Sequence, residues 1–214
     1  IYFRKRTENR WNIKDFVNWI TSDDPNTQET RGEGEYKQTF YYYPTNKIRI
    51  PVNKENVLKS GIVKPEDADK IVDYIDITLP NAIDKARIVM LDILANNDWK
   101  RPIYFTGGSM DSAEYLWMKD YLQLDGLVYK LVPIKTPIDK NNPYDMGRID
   151  SELMYNIVKR WTWGNMGKEG IYLDPETRKN SIIFRGNLAR LTEQLIAEGK
   201  TAKASEIIDI AMKN

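Results

Sequence analysis

The stretch Trp99–Pro133, WKRPIYFTGGSMDSAEYLWMKDYLQLDGLVYKLVP, decides how the fold is read. Ile103 to Thr106 reads as a buried strand that runs into Thr106-Gly107-Gly108-Ser109, a stretch suited to a tight turn. The residues around Tyr115 to Tyr121 follow as a short amphipathic helix, and Leu127 to Val132 as a second apolar strand. That order predicts a βαβ unit, whose strands lie parallel and are joined by a right-handed crossover. Tyr104 and Phe105 are then expected on opposite faces of the sheet, both buried under helices. The fold class is α/β, with α+β as the alternative: a small mixed sheet with a central βαβ unit flanked by helices.

The turn carries the main candidate site. It leaves the end of a strand and enters a helix N-terminus, where free N–H groups and the helix dipole can hold an anion. Thr106, Gly107, Gly108 and Ser109 are the candidate ligand-binding residues, with Arg101 or Lys119 as counter-charge. Neither GxGxxG nor GxxxxGK[ST] is present, so turn geometry alone also accounts for the glycines. Asp111-Ser112-Ala113 is expected to cap the following helix, and also resembles a short bacterial O-glycosylation acceptor pattern.

Working upstream, Ile13, Phe16, Val17 and Ile20 share one helical face behind an Asn12 cap, and Asp24-Pro25 ends that helix. Thr27 to Glu35 is polar and reads as a loop. Thr39 to Tyr43 and Ile48 to Val52 read as a hairpin around Pro44-Thr45-Asn46-Lys47. Lys54 to Ser60 is helical, Val72 to Leu79 alternates as a strand, and Asn81 is expected to cap a helix over Ala82 to Asn96. Downstream, Pro133 to Met146 is a connector and Ile149 to Trp161 a helix. Leu188, Leu191 and Leu195, then Gly199, then Ala204, Ile207, Ile208 and Ala211 mark a helical hairpin of tetratricopeptide-like character. The expected domains are 1–175, an α/β body, and 176–214, the hairpin. Its Leu195, Ile208 and Met212 are expected to be partly uncovered and to form a protein–protein surface.

Composition narrows the chemistry. The 214 residues carry 32 Lys plus Arg against 31 Asp plus Glu, a net charge of +1, which argues against nucleic acid as a partner. With no Cys there is no disulfide, thiol nucleophile or zinc–thiolate site, and with no His there is no Ser-His-Asp triad or HExxH site. No catalytic residue, cofactor or metal is therefore assigned. The acidic pairs Asp23-Asp24 and Asp73/Asp76 lack ligand spacing and read as solvated strand ends and turns. Tyr41, Tyr42, Tyr43, Trp99, Tyr115, Trp117, Trp161 and Trp163 are divided between core positions and rings able to stack on pyranose faces. The chain begins at Ile1 and has no apolar run of membrane-spanning length, and is expected to be a soluble piece of something longer.

Six segments carry a family resemblance: NRWNIKDFVNWITSDDP (9–25), YYPTNKIRIPVNKENVLKSGIVKPEDADKIVDYIDITLP (42–80), LDILANNDWKRPIYFTGG (91–108), EYLWMKDYLQLDGLVYKLVPIKTP (114–137), NPYDMGRID (142–150) and DPETRKNSIIFRGNLARL (174–191). Together they resemble the C-terminal portion of large multi-pass bacterial membrane proteins whose N-terminal part is similar to protein O-mannosyltransferases. The resemblance implies a non-catalytic accessory domain on the periplasmic or other extracytoplasmic face, partnered by the parent membrane domain and binding glycan, acceptor protein or another partner. The alternative is an independent enzyme, or a phosphate- or nucleotide-sugar-binding domain, using Gly107-Gly108-Ser109. Buried carboxylates clustered beside that turn would favour the alternative, and a concave aromatic groove the accessory role.

Overall fold

The computed structural model describes residues 1–107, 109, 111–138, 142, 145–164 and 166–213. The chain is of mixed α/β class, with small sheets and two long C-terminal helices. It divides into two compact units. The first comprises Ile1–Ile103, Ser109–Tyr121 and Leu131–Lys135; the second comprises Tyr104–Gly108, Leu122–Lys130 and Thr136–Asn214.

In the first unit, β1 (Tyr2–Phe3) pairs in parallel with β4 (Gln38–Tyr43), which pairs antiparallel with β3 (Gln28–Arg31). A second sheet orders β2 (Trp11–Asn12), β5 (Lys47–Pro51) and β6 (Tyr74–Thr78). Ile48 and Ile50 on β5, with Ile75 and Ile77 on β6, alternate into the core with period two. Helix α1 (Ile13–Ile20) buries Ile13, Phe16 and Val17, and the Asn12 side chain accepts the Lys14 N–H as its cap. Helix α2 (Lys54–Lys59) is capped by Asn53, and α3 (Lys85–Asn97) packs against α1. Asp98 and Trp99 follow at positive φ, held by Asn56 on the Asp98 carbonyl and by the Trp99 indole on the Pro51 carbonyl, 2.9 and 2.8 Å.

Thr27 to Glu35 is not a plain loop: β3 lies within it, its side chains polar because they are exposed, and Gly32 at φ +87 turns the chain where a Cβ would collide with the Tyr36 carbonyl. The two strands around Pro44-Thr45-Asn46-Lys47 form no hairpin but enter different sheets. Arg4 and Arg6 donate their N–H groups to the Tyr43 and Pro44 carbonyls, so the N-terminal segment takes the partner position a hairpin would fill. Asn81 is no helix cap. Phe3 donates to its carbonyl and the Ile83 N–H donates to the Ile1 carbonyl, so helix α3 starts later, behind Asp84.

In the second unit, β7 (Tyr104–Thr106), β9 (Val128–Leu131) and β8 (Leu122–Asp125) form one sheet in that spatial order. The expected βαβ unit is absent: β7 pairs with β9 antiparallel, Phe105 opposite Tyr129. Between the strands stand only the 3₁₀ turns Ser112–Tyr115 and Lys119–Tyr121, with Leu116 and Trp117 at φ 50 and 60 breaking any longer helix. The two-residue loop Gly126-Leu127, with Gly126 at φ +73, instead closes a hairpin between β8 and β9. Phe105 is 6% exposed and Tyr104 50%, so the edge strand β7 is covered on one face only, contrary to expectation, while β8 is buried on both. Helices α4 (Ser151–Val158), α5 (Pro175–Ala197) and α6 (Thr201–Lys213) complete the unit. Met154, Val158, Leu188, Leu191, Leu195, Ala204 and Ile207 build its helical core. Leu195 is thus buried, while Ile208 and Met212 are exposed.

Candidate functional site

The hairpin turn, the end of α4 and the middle of α5 form a cleft in the second unit. Its volume is about 350 Å³, and Leu127, Arg160, Trp161, Thr162, Trp163, Met166 and Phe184 line it. Helix α4 begins at Asp150, whose side chain accepts the Leu153 N–H, and ends where Lys159 and Arg160 turn out of the helix. The Trp161 N–H still bonds the Val158 carbonyl at 3.0 Å, which fixes the indole against the hairpin. Gly126 makes room for it: a Cβ there would lie 2.9 Å from Ile157 Cγ2 and 3.2 Å from Trp161 Cζ2. Asn187 on α5 donates to the Gly126 carbonyl at 2.8 Å and ties the turn to that helix.

Three rings surround the cleft. Trp161 and Trp163 meet edge to face at 5.5 Å between centroids, and Phe184 reaches them at 5.9 and 6.0 Å. The tilted angles of 63 to 80° suit the ring quadrupoles and hold the aromatic walls apart instead of letting them stack shut. Both indoles are half-buried, and the Trp161 Nε1 edge lies beside Gly126. The Arg160 Nε–H donates back to the Asn156 carbonyl at 3.2 Å, placing a cation at the rim. A cleft with aromatic walls, a threonine and a guanidinium at its rim can bind a flat, hydroxylated ligand.

Trp161 and Trp163 were singled out from the sequence; Phe184, Leu127 and Arg160 were not. Phe184 was within reach, because it continues the Leu188, Leu191, Leu195 stripe by one helical turn. The other sequence aromatics separate cleanly. Tyr43, Trp99 and Tyr115 are core, Trp117 is half-buried, Tyr41 is exposed, and Tyr42 lies 3.6 Å beneath the Arg4 guanidinium.

Thr106 lies opposite Val128, and a Cβ on Gly107 would touch the Tyr129 ring at 3.3 Å, so glycine permits that close approach. Gly108 lies outside the described residues. The Ser109 hydroxyl accepts the Asp111 N–H at 3.0 Å and its carbonyl accepts the Tyr115 hydroxyl at 3.1 Å. Asp111 caps Ser112–Tyr115, as expected, but that segment is a four-residue 3₁₀ turn with no helix dipole to offer. Arg101 is exposed, and its carbonyl accepts from Asn97. Thr106 and Gly107 belong to the second unit, Ser109, Arg101 and Lys119 to the first.

Four of the aspartates have structural partners. Asp76 takes Arg49 in a two-pronged pair at 2.8 Å, Asp73 pairs with Lys54, and Asp24 caps the turn after α1. Hydrogen bonding from Arg49 lowers the Asp76 pKa against the opposing effect of burial. Asp125 is the buried carboxylate of the β8–β9 hairpin; it accepts from Gln123 at 2.8 Å and faces Lys130 at 3.2 Å, so it is charge-paired. Among the described residues no group of three acidic side chains could hold a metal ion, and no helix is long and apolar enough to cross a membrane.

The family model that matches the chain is TMEM260-associated domain 2, over residues 1–153. No curated protein and no solved structure matches it. The match covers both sheets of the first unit, the β7–β9–β8 sheet and the start of α4. The chain therefore belongs to the TMEM260-associated domain 2 family, an accessory domain of a membrane-protein family.

Proposed function

We propose that this domain is a non-catalytic binding module on the extracytoplasmic face of its parent membrane protein, and that it holds a glycan or glycosylated acceptor in the aromatic cleft. The observation that carries the reading is the meeting of Trp161, Trp163 and Phe184 around one concave space. Pyranose rings offer an apolar C–H face to such walls and hydroxyls to Thr162 and Arg160. The paired state of Asp125 supports binding over hydrolysis, since a glycosidase needs two carboxylates a short distance apart. The parent, in this reading, is a glycosyltransferase resembling the protein O-mannosyltransferases, and the tail helices α5 and α6 serve as its docking surface for proteins.

Titration of the purified domain with neutral hexose oligosaccharides, followed by tryptophan fluorescence, tests the reading. A saturable change is expected, and Trp163→Ala should weaken it at least tenfold with the far-UV circular dichroism unchanged. A response that is absent in the native protein, or equal in Trp163→Ala, overturns it.

A further inference from the structure

Helix α5 carries a symmetric pattern on the side turned away from its buried residues. Ile182, Ala189 and Ile196 recur every seven residues and so share one stripe of the helix, distinct from the buried face of Leu188, Leu191 and Leu195. All three are exposed, Ile182 at 68% and Ile196 at 55%. Arg185 and Glu193 flank the stripe, four residues before Ala189 and four after it. Both are exposed, and among the described residues neither has an ion-pair partner. About 12 Å of helix separates them, too far for them to pair with each other.

Gly186 stands three residues before Ala189, and a Cβ there would meet nothing within 4 Å. Glycine inside a helix costs stability relative to alanine, and no described neighbour requires one at this position. Three residues after Ala189 comes Thr192, whose hydroxyl donates to the Leu188 carbonyl at 2.9 Å. Two such helices laid antiparallel on a two-fold axis through Ala189 use the whole pattern. Ile182 then meets the partner's Ile196, Arg185 the partner's Glu193, Gly186 the partner's Thr192, and Ala189 its own copy. Small side chains at the crossing let the helix axes approach closely, and isoleucines close the contact at both ends. An in-register parallel pairing would set Arg185 against Arg185 and Glu193 against Glu193, so charge selects the antiparallel one.

We propose that this face of α5 is a self-association surface, on which a second copy of this chain docks through an antiparallel α5–α5 contact centred on Ala189. The proposal rests on the reading of α5 as a docking surface and gives that surface its occupant. The two-fold contact repeats every interaction, so each dimer holds two Arg185–Glu193 pairs. Phe184 belongs to the buried stripe on another side of the helix, so a glycan in the aromatic cleft does not compete with the second copy.

Sedimentation equilibrium of the whole chain at concentrations up to about 1 mM tests it. A reversible monomer–dimer equilibrium is expected. Arg185→Glu and Glu193→Arg should each weaken it about tenfold, because each puts two like-charge pairs into the contact. The double variant Arg185→Glu/Glu193→Arg should restore the native affinity. Ala189→Glu, which sets two carboxylates on the axis, should leave only monomer. These positions are exposed, and far-UV circular dichroism of each variant checks that the helices persist. Trp163→Ala should leave association intact, which keeps this contact and the glycan site separate results. A native chain that stays monomeric overturns the self-pairing and not the docking role, which a different protein can still take. A dimer indifferent to Arg185→Glu, or a double variant no tighter than the single ones, also overturns the proposal.

Discussion

Gly126 packs with its α-carbon against the Trp161 indole, close enough that a single added methyl would sit 3.2 Å from the ring. The same residue is at φ +73, where L side chains are disfavoured. One glycine therefore sets both the β8–β9 turn and the wall of the aromatic cleft. Gly126→Ala is expected to destabilise the domain by about 2–4 kcal/mol, from left-handed strain plus overpacking. Chemical denaturation measures it. An Ala variant as stable as the native protein would show that the turn relaxes freely.

The ring contacts make Phe184 a wall of the cleft as well as part of the helix stripe. Phe184→Leu keeps the stripe apolar but removes the edge-to-face contacts, each worth about 0.5–1.5 kcal/mol beyond burial. Oligosaccharide affinity should fall about threefold to tenfold while the thermal midpoint moves only slightly. Equal losses of affinity and stability would assign Phe184 to packing alone.

Lys130 and Asp125 form an ion pair buried on both sides, reinforced by Gln123. Removing one partner strands a buried charge, so Lys130→Met should cost about 3–5 kcal/mol. The double variant Lys130→Met/Asp125→Leu should recover most of that loss, because two apolar groups need no mutual compensation. Urea denaturation of the double-mutant cycle decides it, and a double variant no better than Lys130→Met would contradict the argument.

Helix α6 is fastened to α4 by charge. Glu152 is held at about 2 by hydrogen bonds from Lys200 and then Lys203. Burial pushes Glu198 upward, but hydrogen bonds from Lys200, Ser151 and Gln194 outweigh it and hold it at about 2. Both carboxylates lie below their ordinary value of 4.5, so their stabilising contribution is complete above that pH and disappears as pH falls through 2. Hydrogen exchange in α6 should accelerate between pH 4.5 and 2, after correction for intrinsic rates, and Glu152→Gln should flatten the change. Protection that is constant over that window would remove these pairs from the fastening.

Leu195 is fully buried in the α4–α5–α6 core, whereas Met212, at 82%, is almost free of it. Leu195→Ala should therefore cost about 2–5 kcal/mol and Met212→Ala should lie within about 0.5 kcal/mol of neutral. Thermal unfolding of the two variants side by side gives the contrast. A large loss at Met212 would show that α6 packs more extensively than the structure has it.

Local pattern determined the helices at both ends of the chain. The Asn12 cap with its Ile13, Phe16, Val17 face, and the Leu188, Leu191, Leu195 stripe, are set by neighbours three and four residues apart, and the structure has them as read. The mixed α/β class followed from the same periodicities. Strand partnership did not, because it depends on which distant segment supplies the hydrogen bonds. Arg4 and Arg6 occupy the carbonyls beside β4, so the expected hairpin at Pro44 is divided between two sheets. The expected βαβ unit gave way to a hairpin through Gly126-Leu127, a glycine-led two-residue loop between apolar strands. Trp161 and Trp163 are visible as aromatic residues, but only the tertiary structure brings Phe184 and Leu127 to them, from helix α5 and from the β8–β9 turn. Sequence fixes what a side chain can do; its neighbours in space, set by long-range packing, decide which of those capacities faces a ligand and which is spent in the core.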